Sequence, residues 1–348
     1  MPETTAWRMP AEWTPHERTW MAWPSAGYTL GQDEDEAETA RRTWAEVARA
    51  VARFEPVTMV VTGHDIHLCR EYLGNDTTHP IDLVIADLDD AWMRDIGPTF
   101  VLSPQDRLGG VDWVFNGWGG QEWASWENDA RVGALVADAA GAETIPSPIV
   151  CEGGAIHVDG EGTVLLTETV LLDPGRNPDL TRADIEAQLA RTLGVDTFIW
   201  LPRGLTRDYD DFGTRGHVDI CATFTEPGRV LLHWQEDPAH PDHEVSRELE
   251  AVLREARDST GRHLDIVRLP APVTLTDREG PVDWSYVNHL VCNGGVVACT
   301  FEDPNDERAV QILREVYPGR EVVGVDARPL YDRGGGIHCI TQQQPESA

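Results

Sequence analysis

Five short stretches of this 348-residue chain repeat one device, in which glycine leads straight into an apolar, β-prone run. They read "GPTFVL" from 97, "GGAIHV" from 153, "GHVDICATF" from 216, "GGVVACTF" from 294 and "GGGIHCIT" from 334. The spacings are uneven, roughly 40 to 80 residues, which excludes a strict solenoid and leaves a degenerate internal repeat. Glycine turns that merely precede strands, as in any α/β protein, are the competing reading. If the repeat holds, each unit contributes one glycine-backed strand to a common centre where backbones approach closely. No linker rich in Pro, Gly and Ser divides the chain, so one closed domain over residues 1–348 is expected.

Helical periodicity fills the intervals. The segment from Asp33 to Phe54 places Trp44, Val47, Val51 and Phe54 on one face, with acids in its first turn and arginines later, as the helix dipole favours. Thr181-Arg-Ala-Asp184 has the form of a capping box opening a helix that runs to Leu193. Further helices are expected over 127–140, 243–257 and 305–316. The chain is therefore read as α/β.

Composition excludes several functions. With 28 basic and 60 acidic residues the net charge is −32, which opposes binding to nucleic acid or an anionic membrane. The acidity is either a solvated surface or a field that draws a cation, and bulk charge does not choose between them. Apolar runs such as Val57 to Thr62 fall far short of the roughly 18 residues of a membrane span. Nothing near the N-terminus has the form of a secretion signal, and a cytoplasmic location is expected. All 28 basic residues are arginine, so lysine chemistry, including Schiff bases, pyridoxal phosphate and the phosphate-binding loop, is excluded. Six cysteines lack CxxC spacing and are expected to be free thiols. His64, His67 and Cys69, and likewise His240 and His243, have ligand-like spacing without further ligands, so no metal is expected.

The candidates for chemistry sit beside glycines. His217 and Asp219 are two apart in what reads as a strand, which puts them on one face about 7 Å apart. Trp92 and Asp95 precede Gly97-Pro98, where the indole either stacks on a planar cation or packs in the core. Glu152 stands before a glycine pair, and Cys339 follows Gly334, Gly335 and Gly336. Position alone leaves Cys339 open as a packed or a reactive thiol. Together, a thiol, an imidazole, three carboxylates and an indole suit a guanidinium, which is planar and permanently cationic. Carboxylates bind its edges, an aromatic ring covers its face, and a thiolate can attack its carbon.

The stretches "AEWTPHERTWMAWP", "DDAWMRDIGPTFV", "CEGGAIHVDGEGTVLLTE", "NPDLTRADIEAQLARTLGV", "WLPRG", "GHVD" and "GGGIHCITQQQP" occur in that order from about residue 10 to 345. In them the chain resembles the agmatine deiminases of the guanidine-modifying, or pentein, superfamily. The resemblance implies a five-bladed α/β propeller with pseudo-fivefold symmetry. It implies Cys339 as nucleophile, His217 as general acid and base, and Asp95 and Asp219 as guanidinium-binding carboxylates. Glu152 matches the carboxylate that supports the site, Trp92 lines it, and Gly336 leaves room for substrate. The implied reaction hydrolyses agmatine to N-carbamoylputrescine and ammonia with no cofactor, in a homodimer. Another guanidino substrate such as free or peptidyl arginine is the alternative, followed by an amidinotransferase. From other classes stand a Cys-His peptidase, whose signature is absent, and a non-catalytic acidic binding protein.

One stretch departs from the family pattern. Phe212-Gly-Thr-Arg215 precedes Gly216-His217 where family members typically carry Glu-Thr-Asn, and Arg215 would repel an amine-bearing substrate. Asp208, Asp210 and Asp211 are candidates to compensate. Gln121 replaces a common lysine, in keeping with the lysine-free composition.

Overall fold

The computed structural model describes residues 6–348. Among these residues the strands form five separate sheets that share one plan: an antiparallel pair, then a parallel neighbour. Thr99–Leu102 lies antiparallel to Leu108–Val114, which runs parallel to Glu143–Val150. The same order recurs in Ile156–Val158, Thr163–Thr167 and Thr197–Leu201, and again in Ala222–Glu226, Arg229–Trp234 and Asp265–Pro270. Leu290–Cys292, Gly295–Thr300 and Glu321–Asp326 make the fourth such sheet. The remaining sheet joins sequence-distant strands: Thr341–Pro345 pairs antiparallel with His16–Ala22, which runs parallel to Val57–Val61, and Ile81–Ile85 adds an outer parallel strand.

A parallel pair needs a crossover, and here helices supply it. Glu34–Val51, Val132–Ala139, Arg182–Leu193, Asp242–Glu255 and Asp306–Val316 each connect the second strand of a sheet to the parallel strand beside it. Asp33 caps the first, its carboxylate accepting from Glu36 N, and the helix buries Trp44, Val47 and Val51 while Phe54 packs half-buried beyond its end. The expected capping box is present, with Thr181 and Asp184 bonding each other's backbone N–H. The helix expected from 127 begins at Val132, because Asp89 takes the N–H groups of Asn128 and Asp129 and a single 3₁₀ turn precedes it. Among the described residues no helix is long and apolar enough to cross a membrane.

Two readings of the glycine segments are corrected. The stretch "GHVD" is no strand: Val218–Ile220 forms a 3₁₀ turn and the strand starts only at Ala222. Asp208 captures the N–H groups of Gly216 and His217, so no ladder can form there. The "GGVVACTF" glycines belong to the hairpin between Cys292 and Gly295, with Gly294 at φ 72°, and the following strand is the second of its sheet. The turn equivalent to the other four is Ser285–His289, which contains no glycine.

Candidate active site

Short turns ahead of the first strand of each sheet carry the polar residues. Trp92 precedes the helical turn Met93–Ile96, which holds Asp95, and Glu152 precedes the 3₁₀ turn Gly153–Ala155. His217 precedes Val218–Ile220, which holds Asp219, while Cys339 lies in the turn before Thr341–Pro345. Arg94 clips two of these turns together, its N–H donating to Cys339 O at 3.0 Å and its Nε to His338 O at 3.2 Å.

The structure brings Cys339, His217, Asp95, Glu152 and Asp219 into one buried cluster, each no more than 5% exposed. The Cys339 Sγ lies 3.6 Å from Asp219 Oδ2 and receives a hydrogen bond from Asn288 Nδ2 at 3.3 Å. The His217 imidazole stands between two acids, with Nε2 3.5 Å from Glu152 Oε2 and Nδ1 3.9 Å from Asp95 Oδ1. These are ion pairs in which neither ring nitrogen has a formed hydrogen bond. Asp219 Oδ1 is likewise buried and unpartnered. Buried polar atoms are nearly always paired, so three unpartnered ones in one cluster leave hydrogen-bonding capacity open there.

The carboxylates are held by their neighbours. Asp95 accepts from Gly154 N at 3.1 Å and from Trp118 Nε1 at 2.8 Å. Glu152 receives Arg176 Nε on both oxygens, at 2.9 and 3.1 Å, and that arginine also bonds Asp173 and Thr214 O. Trp92 packs edge-on against Trp44 and reaches the cluster through its ring edge: a β-carbon on Gly335 would stand 2.7 Å from Trp92 Cζ3 and 3.1 Å from Cys339 Sγ. A β-carbon on Gly336 would meet Asn288 Oδ1 at 2.5 Å, so only glycine fits there.

Electrostatics separate the roles of the groups. Burial penalises an imidazolium, but Asp95, Glu152 and Asp219 outweigh it and lift His217 to about 9. Each pair at these distances is worth about 4 kcal/mol at an effective dielectric of ~20, comparable to the several kcal/mol of desolvation. Burial raises Asp95 to about 6 against the pull of His217. Burial also opposes the charges of Glu152 and Asp219, yet Arg176 and His217 hold the first below its ordinary range and His338 and His217 the second. Burial drives the Cys339 thiol well up, and the charges of Asp219 and Asp95 add to the rise. These shifts favour a protonated thiol at Cys339 and a protonated ring at His217 before any ligand enters.

Arg215 points away from this cluster. It is exposed, bonds Tyr209 O at 3.2 Å, and lines a separate depression with Asp173 and Thr169. Asp208 is spent on the backbone of Thr214, Gly216 and His217, and Asp210 and Asp211 are exposed. Gln121 bonds Gly213 O at 2.6 Å, tying down the loop that carries Phe212. Phe212 stacks on Tyr28 with ring centres 3.8 Å apart, at the edge of a surface cleft of about 700 Å³. From there Trp123 and Trp118 continue the series of rings to Asp95.

Asn288, Trp118, Arg94 and Arg176 were not singled out in the sequence. Asn288 lies in the glycine-free turn, and Trp118 carried one available signal, the glycine-rich "NGWGG", where it adopts φ 54°.

Fold and site together define a mixed α/β protein with a cysteine, histidine and carboxylate cluster suited to a planar cation. The family model described as Porphyromonas-type peptidyl-arginine deiminase matches residues 8–345, and the chain belongs to that family. A Streptomyces coelicolor protein provisionally named agmatine deiminase is 58% identical over 98% of this chain and 99% of its own. The agmatine deiminase of Stutzerimonas stutzeri is 41% identical over 99% and 97%. Among solved structures, the agmatine deiminase of Enterococcus faecalis superposes with a TM-score of 0.90 at 33% identity, covering 100% of this chain and 99% of that one.

Proposed function

We propose that this protein is an agmatine deiminase, which hydrolyses the guanidinium of agmatine to N-carbamoylputrescine and ammonia. The observation that carries the reading is the single buried cluster of Cys339, His217, Asp95, Glu152 and Asp219. Full-length similarity to proteins of that name supports the choice of substrate. Enclosure favours a small free guanidine over an arginine within a peptide, since every one of these side chains is at least nine-tenths buried. On this reading the five sheets are the blades of one propeller domain, closed by the pairing of Thr341–Pro345 with His16–Ala22.

The roles follow from the charges. Asp95 and Asp219 take the guanidinium edges, and Trp92 and Gly336 shape the space around it. The incoming cation offsets the carboxylate field that holds the Cys339 thiol protonated, and the thiol releases its proton to solvent as the substrate enters. The thiolate attacks the guanidinium carbon to give a tetrahedral adduct, and the imidazolium of His217, held ready by Glu152 and Asp95, protonates the departing nitrogen. Ammonia leaves and a thiouronium on Cys339 remains. His217, now neutral, removes a proton from water, and the hydroxide adds to the same carbon. The C–S bond breaks as the adduct's hydroxyl proton passes to the sulfur, which releases the ureido product and restores the thiol and the imidazolium.

The test is incubation with agmatine, free arginine and a peptidyl arginine, measuring ammonia and ureido product, with acid-quenched mass spectrometry of the Cys339 peptide. Agmatine turnover with an amidino adduct on Cys339, both lost in Cys339→Ser, is expected. No ammonia and no adduct from agmatine would overturn the reading. An added amine that accepts the amidino group would reassign it to group transfer.

A further inference from the structure

Behind Asp219 lies a second set of charges that the reaction above leaves without a role. His338, the residue before Cys339, sets its Nδ1 2.8 Å from Asp219 Oδ2 and its Nε2 3.1 Å from Glu12 Oε2. All three side chains are buried, at 4%, 2% and 5% exposure for His338, Asp219 and Glu12. Glu12 comes from the segment before the strand His16–Ala22, so residues from opposite ends of the chain meet behind the cluster.

Hydrogen-bond accounting locates the protons. An ionised carboxylate only accepts. Glu12 Oε1 accepts from Val291 N at 2.8 Å. His157 accepts from Phe224 N on Nδ1, which places its proton on Nε2, 2.6 Å from Thr223 Oγ1 and 3.6 Å from Glu12 Oε2. Glu12 thus faces a backbone N–H and two imidazoles, and it carries its charge. His338 lies between two acceptors, and each of its ring nitrogens must donate, which makes it an imidazolium. Burial and the nearby Arg94 oppose that state, and Glu12 and Asp219 overcome both. Asp219 is divided as a result: Oδ2 is held by His338, while Oδ1 stays buried and open.

We propose that Glu12, acting through His338, positions Asp219, fixing its carboxylate with one oxygen occupied and the other left for the cationic group of the substrate, and offsetting part of its negative field at Cys339. This rests on the deiminase reading for the identity of the substrate, whereas the relay itself rests on the hydrogen bonds alone. Glu12 and His338 are positioning residues, and Asp219 is the group they act through.

The experiment compares the full chain with Glu12→Gln, Glu12→Asp and His338→Asn by two readouts. For agmatine turnover, Glu12→Gln is expected to raise KM about tenfold or more with a smaller loss in kcat, the scale of a lost charge-assisted hydrogen bond. The loss deepens as pH rises, because His338, facing Asp219, Arg94, His157 and His289 without its Glu12 counter-ion, gives up its proton more readily than in the unmutated protein. Glu12→Asp recovers part of it. The second readout needs no turnover: alkylation of Cys339 by a cationic haloacetamidine against a neutral haloacetamide. The unmutated protein is expected to favour the cation, and Glu12→Gln and His338→Asn to lose about tenfold of that preference. Absent agmatine turnover with the preference lost in Glu12→Gln would sink the substrate and uphold the relay. A Glu12→Gln protein with unchanged KM, pH profile and reagent preference overturns the relay. Should the variants fold poorly, ¹⁵N spectra of the unmutated protein decide: a His338 ring doubly protonated at pH 7 supports the proposal, and a neutral ring overturns it.

Discussion

Gly154 stands so close to His217 that a β-carbon on it would lie 2.5 Å from the imidazole Nδ1, and 3.1 Å from both Asp95 Oδ1 and Asp219 Oδ2. One missing methyl therefore makes room for three of the polar groups to meet. Gly154→Ala is expected to push the imidazole aside and lower kcat about a hundredfold, the usual effect of a misplacement near 1 Å. The stability loss is expected to be modest, about 1–3 kcal/mol for an overpacked methyl. Steady-state kinetics beside a urea titration checks both, and near-normal turnover would show that His217 does not act where it stands.

Arg176 and Glu152 form an ion pair whose side chains are wholly buried, with Nε on both carboxylate oxygens. Removing one partner leaves the other charge uncompensated, which costs about 3–5 kcal/mol. Arg176→Ala is expected to lose that much in denaturant unfolding. It also frees Glu152 to shift away from His217 Nε2, so residual folded protein is expected to turn over slowly. A variant as stable as the parent would mean that the pair is far more hydrated than its burial implies.

His217 links stability to pH. Its ordinary value is 6.5 and the surrounding acids raise it to about 9 in the folded chain. A raised value means that the folded state binds the proton more tightly, so the stabilisation is fully present below pH 6.5 and is lost as pH rises through about 9. Asp95, raised to about 6, acts in a lower and separate window. The difference in unfolding midpoint between the parent and His217→Asn is expected to be larger at pH 6.5 than at pH 9.5. A difference that stays constant or widens with pH would show that His217 is neutral in the folded protein.

The parts of this structure that were legible in the sequence are those set by local periodicity. The helix at Glu34–Val51 follows from the spacing of Trp44, Val47 and Val51, and the helix at Arg182–Leu193 from its capping residues. Glycine marked four of the five inward turns because chain segments crowd together there: Gly153 and Gly154 against Arg94 and His217, Gly335 and Gly336 against Trp92 and Asn288, Gly97 against Met93, and Gly216 against Gly204 and Tyr209. It misled at Gly294, where a hairpin requires positive φ for its own reasons. The strand reading of His217 failed for a different cause: Asp208, nine residues away, removes the N–H groups a ladder would need. Arg94, Arg176 and Trp118 went unnoticed because each is defined by a partner tens to hundreds of residues distant, which no local pattern reports.

Asn288 is the clearest case of that long-range definition, and it also makes a sharp prediction. Its Nδ2 donates to Cys339 Sγ at 3.3 Å, and its Oδ1 accepts from His338 N at 3.0 Å, so one amide both faces the sulfur and anchors the turn that carries it. An N–H donor stabilises a thiolate more than a thiol, because hydrogen bonds to charged groups are the stronger kind. Asn288→Ala is expected to slow alkylation of Cys339 by a neutral haloacetamide about ten- to a hundredfold, in line with the ~1.5–3 kcal/mol of such a bond. Asn288→Asp keeps the shape but sets a carboxylate against the sulfur, beside Asp219, and is expected to react more slowly still. Faster alkylation in Asn288→Asp than in Asn288→Ala would show that Asn288 serves to brace the turn alone.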